Sequence, residues 1–284
     1  MAGHTGRKIL LIVCIVVAVI IFVTTISGMF TGSASKIGVV EIEGTITDLK
    51  DVTADIVRFK EDDSIRGVII RINSPGGAVG PTQEAATELK KLKEKKKVYV
   101  SMGSVCASGG YYIAAVGERL YANPSTITGS IGVIMQQTVV EDLMKKIGVQ
   151  ANTIKAGSMK DVGSPFRRMT DPERKYLQDI IDSIHEQFIK DVAAGRKMKI
   201  EKARELSDGR IYTGLQAKDA GLIDSIGTFY DTVDAMKKTL GIKGKADLVY
   251  GKRPFAPLKW LVSSALQDMF AREQGQPFRY EYKP

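Results

Sequence analysis

Histidine, cysteine and tryptophan are almost missing from this sequence. Its 284 residues include two histidines, two cysteines and one tryptophan. Cys14 and Cys106 are too few for a disulfide framework or a cysteine-rich zinc site. Cys14 also lies in an apolar run that keeps it from pairing with Cys106. With only His4 and His185 present, almost any histidine-centred chemistry must run through one of two positions. No G-x-S-x-G, H-E-x-x-H or G-x-x-x-x-G-K-[ST] motif occurs, and there is no internal repeat. Apolar content of 44% and charged content of 26% exclude wholesale disorder. The formal charge of +9 points to anionic surfaces. The lysine run Lys90–Lys97 has no interleaved aromatics, so nucleic acid is not expected as a partner. The run reads as a solvated helix C-terminus whose cations favour the dipole, with anionic lipid as the functional alternative.

Charge is absent from Ile9 to Ile26 as well. At 1.5 Å per residue, the 22 residues from Ile9 to Phe30 span about 33 Å, enough for a bilayer core. That core is longer than a secretory signal needs, and Ser33-Ala34-Ser35 is a poor cleavage site. An uncleaved transmembrane anchor is therefore expected over residues 9–30. Arg7 and Lys8 hold residues 1–8 in the cytoplasm and place the rest on the extracytoplasmic side of the cell membrane. Residues 31–36 read as a linker, 37–250 as the main domain and 251–284 as a C-terminal tail. Leaving out Arg7 and Lys8, 39 basic against 32 acidic residues give the exported part +7.

Beyond the linker, strand-like and helix-like patterns alternate. Ile37–Ile42, Gly67–Ile72, Val98–Val100 and Ile131–Ile134 are compact apolar runs, and Asn152–Ile154 is a further candidate strand. Gln83–Lys95 and Val140–Ile147 have helical spacing. The clearest helix is Pro172–Val192, with Asp171 expected as N-cap and Leu177, Ile181, Ile184, Phe188 and Val192 as its apolar stripe. Shorter helices are expected near Ile200–Leu206 and Phe229–Leu240, with a turn at Ser207–Gly209. The alternation predicts an α/β domain with strands buried on both faces.

Two glycine-rich corners follow buried-looking strands. Asn73-Ser74-Pro75-Gly76-Gly77 lets backbone N–H groups approach a ligand closely. Cys106-Ala107-Ser108-Gly109-Gly110 puts Ser108 where a strand gives way to a helical pattern, so partial positive charge there would stabilise an oxyanion. Taken singly, each corner also reads as an ordinary tight turn. A serine nucleophile needs a base. His185 sits at the edge of an apolar stripe and His4 lies beyond the membrane, so lysine is the next candidate, provided burial lowers its pKa. Lys160, in the glycine-punctuated loop Ala156–Pro165, stands apart from the exposed lysine runs. Its plainer reading is a loop lysine paired with Asp161.

These residues, with Thr128-Gly129-Ser130-Ile131-Gly132-Val133, Lys160-Asp161…Ser164-Pro165, Gly209-Arg210-Ile211-Tyr212-Thr213-Gly214 and Ala217…Gly221-Leu222-Ile223-Asp224, resemble the short form of the signal peptide peptidase A family, in that family's order. The resemblance covers about Ile37 to Leu240. It implies a Clp protease/crotonase-like fold of repeated ββα units preceded by one transmembrane helix. It also implies a serine endopeptidase that degrades signal-peptide remnants and other apolar peptides, with no metal or cofactor. Ser108 would be the nucleophile, Lys160 the general base and Ser130 the group that holds the lysine amine. Gly77 and Gly109 would donate to the oxyanion, with Gly76 as alternative to Gly77. A ring-shaped homo-oligomer is implied as well. Two other readings share the fold: a membrane-tethered acyl-CoA enzyme, which the export of the domain argues against, and a catalytically inactive scaffold, which should lack Ser108 or Lys160.

Overall fold

The computed structural model describes residues 36–251, the backbone of 279–281 and, apart from these, Val17. The expected anchor and nearly all of the expected linker and tail lie outside the described residues. Among the described residues no helix is long and apolar enough to cross a membrane.

In chain order the elements are β1 (Lys36–Glu43), α1 (Lys50–Glu61), β2 (Ile65–Ser74), β3 (Gly76–Ala78), α2 (Val79–Lys95), β4 (Lys97–Ala107), α3 (Gly109–Ala114), β5 (Arg119–Ala122) and β6 (Ile127–Gly129). Then follow α4 (Glu141–Lys146), α5 (Asp171–Arg196), α6 (Ile200–Glu205), β7 (Ile211–Thr213), α7 (Gly214–Asp219), β8 (Ser225–Ile226), α8 (Phe229–Leu240), β9 (Asp247–Tyr250) and β10 (Arg279–Glu281). The result is the expected α/β architecture around a central sheet.

That sheet runs β7-β6-β4-β2-β1-β9, with β5 pairing β4 and β8 off the main path. All its pairs are parallel except β6–β7. Parallel neighbours need crossover connections, and the helices supply them. Ile37, Val39, Val40, Ile42, Val68, Ile69, Ile70 and Ile72 are all essentially inaccessible. Strands covered on both faces show continuous apolar runs of this kind. The main core joins β1, β2 and β4 to Phe59 of α1, Leu89 and Leu92 of α2, and Phe188 and Val192 of α5.

Several expectations need correction. Ile131–Ile134 forms no strand; the strand lies earlier, at β6, and only Ile131 of that run is buried. Asn152–Ile154 forms none either, and its residues are exposed. Asp171 is not the N-cap of α5. Thr170 is: its hydroxyl accepts from Glu173 N while the Glu173 carboxylate accepts from Thr170 N, a capping box that places Pro172 in the first turn. The apolar stripe of α5 is buried only towards its end, at Phe188 and Val192; Leu177, Ile181 and Ile184 are half-buried. The lysine run, by contrast, ends α2 as expected, with Lys93 and Lys95 in the last turn and Lys90, Lys91, Lys95 and Lys97 exposed. Lys96 turns inward, its Nζ donating to Phe59 O and Asp62 O at 2.6 Å each.

Candidate active site

Register brings the two glycine corners together. In the β2–β4 ladder Ser74 is the partner of Cys106, so the corner after β2 lies beside the corner after β4. In the β4–β6 ladder Ala107 is the partner of Gly129, so Ser108 and Ser130 are the next residues on adjacent strand ends. Ser108 N donates to Gly129 O at 2.8 Å, and Ser130 N donates to Arg210 O at 2.8 Å. Both serines have positive φ, 53° for Ser108 and 50° for Ser130. Non-glycine residues rarely adopt this region, and those that do cluster at functional sites.

Ser108 follows β4 and takes the N-cap position of α3, whose six residues are all buried. This is a sharp strand-to-helix turn that presents a serine at its apex. Ser108 is 1% exposed, and its Oγ is buried with no hydrogen-bond partner. A buried hydroxyl without a partner is costly in a native protein, so it marks a group set aside for something else. Gly109 follows directly in the chain.

The other corner is built as tightly. Ile46 N donates to Gly76 O at 2.8 Å and Ala78 N donates to Ile46 O at 2.7 Å, which locks the chain on both sides of Gly77. A Cβ on Gly77 would lie 2.1 Å from Ile46 O, so only glycine fits. Gly76 N is taken up by Ser74 Oγ at 3.1 Å, while Gly77 is a ladder partner of β10. The edge of β3 carries a further strand: β10 pairs with it antiparallel, Tyr280 opposite Gly77 and Glu281 opposite Gly76. Both β3 and β10 also touch α3, the helix that begins beside Ser108.

The general-base candidate is not joined to this cluster. Lys160 sits in a turn of the 151–170 segment, in which no residue is buried. Lys160 N donates to Gly157 O at 3.2 Å, while its amine has no hydrogen-bond or ion-pair partner among the described residues and does not reach the unpartnered Ser108 Oγ. The expected pairing of Lys160 with Asp161 is absent too, because Asp161 is held by Arg167 at 2.8 Å and by Lys155. Lys160 is exposed in the chain.

His185 Nε2 donates to Ile131 O at 3.2 Å, the role of a half-buried structural histidine. His4 lies outside the described residues. Cys106 is fully buried, and burial pushes its thiol far up, away from the thiolate that nucleophilic chemistry needs. Among the described residues no group of His, Cys, Asp and Glu could hold a metal ion. Sequence reasoning missed the positive φ of Ser108 and Ser130, the Arg167 cluster and the β10 pairing. Only the arginine had a visible signal, as a cation between two carboxylates six residues away on either side.

The profile of peptidase family S49 matches residues 90–243. A candidate protease of Synechocystis sp. is 42% identical over 202 residues, covering 71% of this chain and 73% of that protein. A candidate signal peptide peptidase SppA of Enterococcus faecium is 40% identical over 182 residues, 64% of this chain and 53% of that protein. The chloroplastic serine protease SPPA of Arabidopsis thaliana is 31% identical over 236 residues, 82% of this chain. The chain spans about half of the Enterococcus protein's length and 35% of the Arabidopsis protein's.

Proposed function

This chain belongs to peptidase family S49, and from that premise we propose that it is a membrane-anchored Ser–Lys dyad endopeptidase that degrades cleaved signal peptides. Ser108 is the nucleophile and Lys160 the general base. Gly77 and Gly109 donate to the oxyanion, and Ser130 orients the lysine amine. The fold is of the Clp protease/crotonase type, preceded by a transmembrane helix over residues 9–30.

One observation carries the reading: a buried, unpartnered serine hydroxyl on a strained strand-to-helix turn, flanked by a glycine corner that no side chain could share. With both histidines unusable, a lysine is the base that remains. A peptide substrate is supported by the edge of β3, whose antiparallel partner β10 shows that an extended chain fits beside Gly76–Ala78. The signal-peptide assignment draws on the resemblance and on the apolar stretch at residues 9–30, which would hold the domain where such remnants collect.

Assembly of several copies would close the dyad. The segment that carries Lys160 is lined with apolar side chains left open to water, among them Leu143 (59% exposed), Ile147 (65%) and fully exposed Ile154. Exposed apolar surface of this kind marks an interface. Packing against a neighbouring copy would bury the loop and desolvate its lysine. The decisive experiment is labelling with a fluorophosphonate probe. Ser108 should react in the full-length protein in membranes, and Lys160→Ala should abolish the reaction. Labelling that persists in that variant removes Lys160 as the base.

A further inference from the structure

We propose that Arg167 withholds the Asp161 carboxylate from the amine of its chain neighbour Lys160, leaving that amine free to act as a base. The inference rests on the assignment of Lys160 above and adds a positioning residue to it.

A lysine beside an aspartate in an exposed loop would ordinarily pair with it or share its field, and either keeps the amine protonated. Here every oxygen of that aspartate is occupied. Arg167 Nε donates to Asp161 Oδ2 and Nη2 to Asp161 Oδ1, both at 2.8 Å, a two-point fork. Lys155 Nζ also donates to Oδ1, and to Ser158 O at 2.9 Å. These contacts hold the Asp161 carboxyl well below the usual carboxylate range.

The other edge of the guanidinium ties the loop to the domain. Arg167 Nη1 donates to Glu173 Oε2 at 2.8 Å and Nη2 to Glu173 Oε1 at 2.6 Å. Glu173 is the residue of the capping box that accepts from Thr170 N at 2.9 Å, so the arginine fastens Asp161 to the first turn of α5. No residue of the loop is buried, so this chain of charge helps fix it, together with Val140 N donating to Pro165 O at 2.8 Å and Gln137 Nε2 donating to Ser164 O at 2.6 Å. The remaining charged groups of the region are accounted for. From α4, Glu141 accepts from Lys145 Nζ at 2.7 Å and from Arg168 N at 3.0 Å, and Asp142 pairs with Arg168 at 2.6 Å. Asp171, at the start of α5, makes no ion pair among the described residues. Lys160 is thus left with cations Lys155 and Arg167 gathered on its neighbouring carboxylate and no carboxylate of its own.

The test is competitive acetylation of the full-length protein across pH 6 to 11, with the Lys160 peptide read by mass spectrometry. In Arg167→Gln, with only Lys155 still holding Asp161, the carboxylate should raise the titration midpoint of Lys160 by about half a unit to one unit. Arg167→Gln combined with Asp161→Asn should bring it back to the wild-type position. A merely structural arginine would not be rescued by deleting its partner's charge. A midpoint that stays put in Arg167→Gln, or stays raised in the double variant, overturns the proposal. Melting temperatures check the fold. If Arg167→Gln does not fold, Arg167→Lys serves instead, with a smaller shift of the same sign that Asp161→Asn again reverses. The pH dependence of kcat/KM supplies a separate arm. If the amine shifts while the activity limb does not, the shielding stands and the assignment of Lys160 as base falls.

Discussion

Adding a single methyl group at Gly77 should remove most of the activity while leaving the protein folded. The Cβ of alanine would lie 2.1 Å from Ile46 O and 2.7 Å from Ile46 C and N. Ordinary van der Waals contact begins near 3.4 Å, so one backbone must move by about 1.3 Å. Ile46 has little freedom to yield, since its N–H and C=O are bonded to Gly76 O and Ala78 N at 2.8 and 2.7 Å. The displacement therefore falls on the corner that would hold the oxyanion donor. A 1 Å misplacement of catalytic groups costs about 10²-fold, and loss of one oxyanion donor about 10² to 10³-fold in kcat. Overpacking of this size costs about 1–3 kcal/mol of stability, less than the roughly 5–15 kcal/mol that a domain commonly has. Gly80→Ala is the matched control, because a Cβ there meets nothing within 4 Å and Gly80 lies within α2. It should be neutral or gain about 0.5–1 kcal/mol. Cleavage of a fluorogenic peptide, probe labelling of Ser108 and a thermal melt on each variant complete the comparison. A folded Gly77→Ala protein with more than a tenth of wild-type kcat/KM would refute the reasoning.

Four further outcomes are expected. Ser108→Ala and Lys160→Ala should each lose activity with unchanged melting, and a mixture of the two should recover about a quarter of the wild-type rate if each site is shared between neighbours in a ring; no recovery in demonstrably mixed assemblies would sink the shared site. Cys106→Ala should stay active at a cost of about 1–2 kcal/mol, and iodoacetamide should not inhibit the native protein, because the thiol is buried and pushed up. Arg167 holds the Asp161 carboxyl low and Glu173 at about 2, so this stabilisation is complete above the unfolded values near pH 4 and is lost as pH falls towards 2; the difference in melting temperature between wild type and Arg167→Gln should shrink over that window, and a constant difference would count against it. A chain ending at residue 251 should bind an apolar peptide substrate with a KM several-fold lower at similar kcat, since β10 no longer occupies the edge of β3; an unchanged KM would mean that the two do not compete.

How far the fold could be read depended on which residues carried each strand. Ile37–Ile42 and Gly67–Ile72 stand at the centre of a parallel sheet, where burial on both faces forces continuous β-branched runs, and both were legible. The strand seen at Val98–Val100 continues to Ala107, through Ser101, Gly103, Ser104 and Cys106, residues with no strand signature of their own. Ladder pairing with β2 and β6 extends it, and pairing partners distant in sequence leave no local mark. Ile131–Ile134 failed for the opposite reason: its apolar residues look like a strand, but the sheet edge has already been used by Ile127–Gly129. The misplaced N-cap of α5 is a competition between two adjacent capping residues, settled by the Glu173 carboxylate, which can reach back to Thr170 N but has no such partner at Asp171.

The site divides along the same line. Tandem glycines and a serine before a helical pattern are chemical identities, visible in the chain, and the ladders then place Ser74 beside Cys106 and Ala107 beside Gly129. The positive φ of Ser108 is a different kind of information. Its own N–H is bonded to Gly129 O and its C=O accepts from Tyr112 N at 2.8 Å, so the strain is imposed by the strand on one side and the helix on the other. The same pairings that hold the backbone leave the hydroxyl with no partner, which couples the cost of the turn to the availability of that hydroxyl. Lys160 obeys a looser rule. Its loop has no buried residue, and Arg167 ties Asp161 to Glu173 of α5, so the loop is placed by ion pairs rather than by packing. Under the proposed dyad the serine is built into the sheet and the lysine rides on an ion-paired loop, so burial of that loop is what the dyad still requires. Residue identity and local pattern single out Ser108 and Lys160 in the chain, while the distance between them depends on tertiary placement that leaves no local mark.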